Sequence, residues 1–95
     1  MRAMVALPTR AEVEAHFEGL LRGDMTREEV DRWAAQFVAA DMVEGHDEPV
    51  WEALMHLCGV DLRSGPDEDY FHDDEQIAGW LDEFRRRARV ERRRD

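Results

Sequence analysis

TRAEVEAHFEGLLRGDMTREEVDRWAAQFVAA, residues 9–40, opens two helices with one device. In Thr9-Arg10-Ala11-Glu12, and again in Thr26-Arg27-Glu28-Glu29, a threonine stands three residues ahead of a glutamate. The hydroxyl accepts a hydrogen bond from the third amide, and the glutamate reaches back to the threonine's own amide, so two otherwise orphaned donors are satisfied. Behind the first threonine, Val13, Phe17, Leu20 and Leu21 share a helical face; behind the second come Val30, Trp33, Ala34, Phe37 and Val38. The spacing predicts helices over about 10–22 and from Thr26 to about Ala40, with Gly23 stopping the first. Arg27, Glu28, Asp31 and Arg32 are expected to face water. So short a connection predicts antiparallel neighbours.

Outward from there the period breaks at MVEGHDE, residues 42–48. Pro49 suits the first turn of a third helix, where its missing amide costs nothing, with Asp47 or Glu48 as cap. Val50, Trp51, Leu54, Met55, Leu57 and Cys58 give this helix an apolar girth that predicts a central position, and Gly59 ends it. Residues 60–72 read as a loop around Ser64-Gly65-Pro66. The last helix is expected near Asp73, with Gln76 in the capping-box position and a buried stripe of Ile77, Trp80, Leu81, Phe84 and Ala88. Its acids lie in the first turn and its arginines in the last, as the helix dipole favours, with Asp82–Arg86 and Glu83–Arg87 as i, i+4 pairs. The expected fold is all-α: a single-domain bundle of about four helices with an Arg-rich C-terminal helix extension. Residues 1–8 are expected to be a flexible N-terminus, 9–84 the helical core and 85–95 a basic tail. Trp33, Trp51, Trp80, Phe17, Phe37 and Phe84 are expected to supply the bulk of the core.

Charge divides the chain. Residues 1–84 carry 21 acids and six arginines, a balance of −15, whereas residues 85–95 carry seven arginines and two acids, a balance of +5. All 13 basic residues are arginine, the side chain with planar, bidentate donors. The single cysteine, Cys58, excludes an internal disulfide and fits a reducing, cytoplasmic setting. MRAMVAL is too short for the apolar core of a signal peptide, and no stretch has the length of a membrane span. Neither a glycine-rich phosphate loop nor a nucleophile motif is present. His56 and Cys58, two apart on a helix, point in different directions, and the acidic run lacks the glycine and terminal glutamate of a calcium loop. We therefore expect no enzyme activity, no cofactor and no metal.

Two charged segments compete as binding surfaces. DEDYFHDDE, residues 67–75, places six acids around two aromatics and a histidine. It reads either as a solvated loop or as a recognition patch in which Tyr70, beside Phe71, anchors a cationic partner steered by Asp67, Glu68, Asp69, Asp73 and Asp74. The tail RRRARVERRRD, residues 85–95, fits a phosphate backbone through Arg85, Arg86, Arg87, Arg89, Arg92, Arg93 and Arg94. Alternatively it folds back on the acidic loop, or is a solvated helix end.

In Thr9, Ala11 and Glu12, in the acids Glu28, Glu29, Asp31, Asp41 and Glu44, and in Asp61, Leu62, Tyr70, Phe71, Ile77, Phe84 and Arg85, the chain resembles the small acidic immunity proteins that neutralise colicin-type nucleases. The resemblance implies a four-helix protein that inhibits a basic toxin nuclease by docking on it. Tyr70 and Phe71 would be its anchors and Glu28, Glu29, Asp31, Asp69 and Asp73 its steering and rim charges. The first expectation is therefore a protein-binding module with a basic protein partner, acting as a monomer or weak homodimer. The alternative is a small regulatory or accessory protein that contacts nucleic acid through the arginine tail.

Overall fold

Thr9 and Thr26 both cap as their spacing predicts. Thr9 Oγ1 accepts from the Glu12 amide at 3.1 Å while Glu12 Oε1 accepts from the Thr9 amide, and Thr26 and Glu29 repeat the arrangement. The computed structural model describes residues 4–40, 42–44, 47–62 and 72–92. Four helices run through them: α1 (Arg10–Arg22), α2 (Arg27–Val38), α3 (Glu48–Leu57) and α4 (Asp74–Arg92). The fold is all-α, as expected. Gly23 ends α1 in the left-handed region (φ 80°), its amide returning to Gly19 and Leu20, a geometry that a Cβ would penalise. Asp47 caps α3 by accepting from the Val50 amide at 3.3 Å, with Pro49 in the first turn. Asp73 Oδ1 does the same for α4 through the Gln76 amide at 2.8 Å. The Gln76 side chain does not close a capping box; its Oε1 accepts from Nδ1 of His72 at 3.0 Å.

Residues 4–6, expected in a flexible terminus, form a strand. β1 (Met4–Ala6) pairs in parallel with β2 (Met42–Glu44), in the register Met4–Met42, Val5–Val43 and Ala6–Glu44. A parallel pair needs a crossover longer than a turn, and α1 and α2 together supply it. Three residues are too few for a period-2 pattern to be legible.

One core lies among the helices. Val13, Phe17 and Leu20 come from α1, Val30, Ala34 and Phe37 from α2, Val50, Ala53, Leu54 and Leu57 from α3, and Ile77, Leu81 and Phe84 from α4, with Val60 beneath. As expected, α3 is central, packing on the other three helices, and α1 lies along α4. The Phe17 and Phe84 rings meet at 6.3 Å, an ordinary aromatic separation.

The tryptophans do not fill this core. Trp33 and Trp80 pack at its rim and Trp51 is 37% exposed beside Met55. α3 carries two candidate apolar stripes, and the buried one is Val50–Ala53–Leu54–Leu57; Trp51, Met55 and Cys58 lie one position round the helix. The small Ala53 marks the face that touches its neighbours. No helix among the described residues is long and apolar enough to cross a membrane.

Replacing Thr26 with alanine removes one half of a capping box. The variant is expected to lose about 1 kcal/mol of unfolding free energy, measured as a lower urea midpoint at unchanged slope.

Candidate nucleic-acid interface

Of the five described acids named from sequence as a partner surface, four are committed to the fold. Glu29 closes the α2 capping box and Asp73 caps α4. Asp31 Oδ1 accepts the Gly59 amide at 2.6 Å, where Gly59 takes φ 92°. Asp74 pairs with Arg27, whose side chain is only 13% exposed. Arg27 also donates to the carbonyls of Val60 (3.2 Å) and His72 (2.5 Å), so it holds together the two chain segments that flank residues 61–71. The expectation that Arg27 and Asp31 simply face water therefore fails: both close the α2–α3–α4 junction. Glu28 is exposed. Asp67, Glu68, Asp69, Tyr70 and Phe71 lie outside the described residues, as do Arg93 and Arg94.

The arginines of α4 follow one another along the helix and meet different neighbours. Among the residues of α4 whose side chains are described, Phe84 is the last in the core, and the helix continues for two further turns to Arg92. Arg85 donates through Nε and Nη2 to Glu14 Oε1 (3.1 and 2.9 Å), and Nη2 lies 3.4 Å from Glu18. Arg86 pairs with Glu83, and Arg87 with Glu52 of α3. The acids that meet Arg85 and Arg87 thus come from α1 and α3; of the expected pairings, Glu83–Arg87 gives way to a tertiary partner and Asp82–Arg86 to the in-helix pair Glu83–Arg86. Arg89 is exposed and makes no ion pair among the described residues.

Arg10 completes the fastening, a role that sequence reasoning missed. Its Nε and Nη2 donate to the two carboxylate oxygens of Asp47 (2.8 and 3.3 Å) and its Nη1 donates to the Ala88 carbonyl (3.0 Å). One guanidinium therefore joins the start of α1, the cap of α3 and the basic half of α4. Arg10 beside Ala88 and Glu14 beside Arg85 show that α1 and α4 run antiparallel. Between them lies a groove of about 340 Å³ lined by Arg10, Glu14, Phe84, Arg85 and Arg89.

Elsewhere, Trp80 is flanked by two histidines: His56 stacks on it at 4.7 Å and His72 meets it edge-on at 4.8 Å. Burial pushes the His56 pKa down, and the nearby His72 adds to the shift. Partial burial, then the carboxylates of Asp31 and Asp61, push the Cys58 thiol up, so it is held in its poorly nucleophilic protonated form. Among the described residues no three His, Cys, Asp or Glu side chains are placed to hold one metal ion.

Comparison with known proteins overturns the immunity-protein resemblance. The model of a family described as YxzC DNA-binding protein matches residues 5–84. A Bacillus subtilis (strain 168) protein named "Uncharacterized protein YxzC" is 37% identical over 67 residues, covering 70% of this chain and 54% of the relative; the chain spans about half the length of that relative. No solved structure matches. The chain belongs to the YxzC DNA-binding protein family. The features it shares with immunity proteins, a threonine-capped first helix and scattered acids, serve in this fold as caps and junction ties, which unrelated helical proteins need equally.

Two consequences are measurable. Arg10→Gln is expected to lower amide protection at residues 84–89 first, because it removes the ties to Ala88 and Asp47. For His56, whose folded pKa is lowered, the unfolded chain binds the proton more readily. Stability is therefore whole above the ordinary value of 6.5 and falls as pH drops below it toward the lowered one; the urea midpoint should decline from pH 7.5 to 5.5, and less so in His56→Gln.

Proposed function

We propose, from membership of this family, that the chain binds duplex DNA without catalysing a reaction, through the basic C-terminal half of α4. The observation that carries the proposal is the charge division set on this fastened helix. The family match ends at Phe84, and residues 5–84 hold 21 acids against five arginines. Such a surface repels a polyanion. The seven arginines of residues 85–95 reverse the sign.

Arginine suits the task because its planar fork pairs bidentately with phosphate oxygens. The negative end of the α4 dipole opposes DNA, but it amounts to only about half an elementary charge, which the arginine run outweighs. Arg85 to Arg92 spans about 10 Å of helix rise, more than the Debye length of about 8 Å at physiological salt. The outer arginines are therefore screened from most of the acidic body. That body in turn restricts docking to one end of the protein.

The α1–α2 pair, joined by a short turn through Gly23, has the chain order of a helix-turn-helix. Electrostatics disfavours it as the contact. Its second helix exposes Glu28, Glu29, Arg32 and Gln36, so it would begin by presenting carboxylates to phosphates.

The test is titration of the full chain against a duplex at several salt concentrations. Binding is expected to weaken steeply with salt, and the quadruple substitution Arg89→Gln, Arg92→Gln, Arg93→Gln and Arg94→Gln to lower the log–log slope by about three to four units. An unchanged slope contradicts this placement.

A further inference from the structure

The α1–α4 groove contains its own competitor for phosphate. Glu14 and Glu18 stand one helical turn apart on α1 and converge on Arg85. One turn further along α4, about 6 Å of rise, Arg89 faces the groove at the level of Arg10 instead of an acid. The charge of Arg10 is already matched by Asp47, and its donors are spent on Asp47 and Ala88. The groove thus offers one arginine without an acid partner, one locked in the fold and one held by exchangeable carboxylates.

Resting on the DNA-binding reading above, we propose that this groove seats a backbone phosphate, with Arg89 as the first contact and Arg85 recruited by exchange of its carboxylate partners. Arg85 is suited to exchange. Its side chain is 37% exposed, as are its partners to a similar degree. Only Nε and Nη2 are engaged, and Nη1 makes no hydrogen bond among the described residues. Surface pairs of this kind contribute little net stability, so a backbone phosphate held in place by the rest of the duplex displaces them at small cost. Arg10, bidentate to a helix cap and bonded to a carbonyl, stays in place and sets the wall of the seat. Glu14 and Glu18 thereby act as an internal counter-charge that lowers affinity for arbitrary polyanions and limits binding to DNA that also engages the outer arginines.

The experiment compares duplex binding by the full-length protein, Glu14→Gln/Glu18→Gln, Arg89→Gln, and Asp24→Asn/Glu75→Gln as a control of equal charge change on surface acids away from the groove. Circular dichroism confirms that each is folded. The groove pair is expected to bind roughly tenfold more tightly, the scale of one added charge-assisted hydrogen bond, with a salt slope steeper by about one unit. Arg89→Gln should bind more weakly with a slope shallower by about one. Equal binding by wild type and the groove pair overturns the exchange, and an equal gain in the control pair shows a general charge effect and overturns it as well. If the wild-type protein does not bind duplex at all, the DNA-binding reading itself fails.

Discussion

Arg10 sits where three helices meet, and its guanidinium satisfies a demand from each. Asp47 needs a counter-charge because it is half-buried while capping α3. The Ala88 carbonyl lies late in α4, and α1 needs its first turn fixed against its neighbours. Planarity lets one side chain answer all three. A lysine would place a point charge there and lose the bidentate fork. Among the described side chains, the other polar ties of the basic half of α4 to the rest of the fold are the ion pairs of Arg85 and Arg87, which are open to salt. With the Arg10 tie, α4 is joined to α1 at Ala88 as well as at Arg85, which lies 2.9 and 3.4 Å from the carboxylates of Glu14 and Glu18.

The consequence is an amphoteric molecule whose two signs divide along α4. Among the residues whose side chains are described, Phe84 is the last fully buried one on α4, and beyond it Arg85, Arg87 and the Ala88 carbonyl tie the helix to α1 and α3. The helix therefore changes role along its length: its first half completes the core, and its second half presents charge. On the proposed reading, this division lets an otherwise acidic chain approach DNA with residues that follow the family-matched segment. The sign that matters is local, set by the surface within a Debye length of the contact rather than by the total.

Much of the fold was legible because helix starts are encoded locally. Thr9, Glu12, Thr26, Glu29, Asp47 and Pro49 act within four residues of themselves, and their spacing alone predicts what they do. Core membership was less legible where two stripes compete, as on α3, where the tryptophan drew attention away from the alanine on the packed face. The strands were hidden by their length. The candidate site was the least legible part. Glu28, Glu29, Asp31, Asp73 and Asp74 look from sequence like one acidic surface, yet the fold spends four of these five on caps and junctions. The pairs that matter, Arg10 with Asp47, Arg85 with Glu14 and Arg87 with Glu52, join residues distant in sequence, and a single chain gives no signal for such long-range choices. The arginine run was visible at once; its anchoring to α1 was not.

The most direct measurement is an amide hydrogen-exchange footprint of the full chain with and without duplex DNA. Added protection is expected only in the first half of α1 and in residues 84–95, with the α2–α3–α4 junction around Arg27 and Asp31 unchanged. Protection centred on the exposed face of α2 or on residues 67–75, with none along the end of α4, would contradict this expectation.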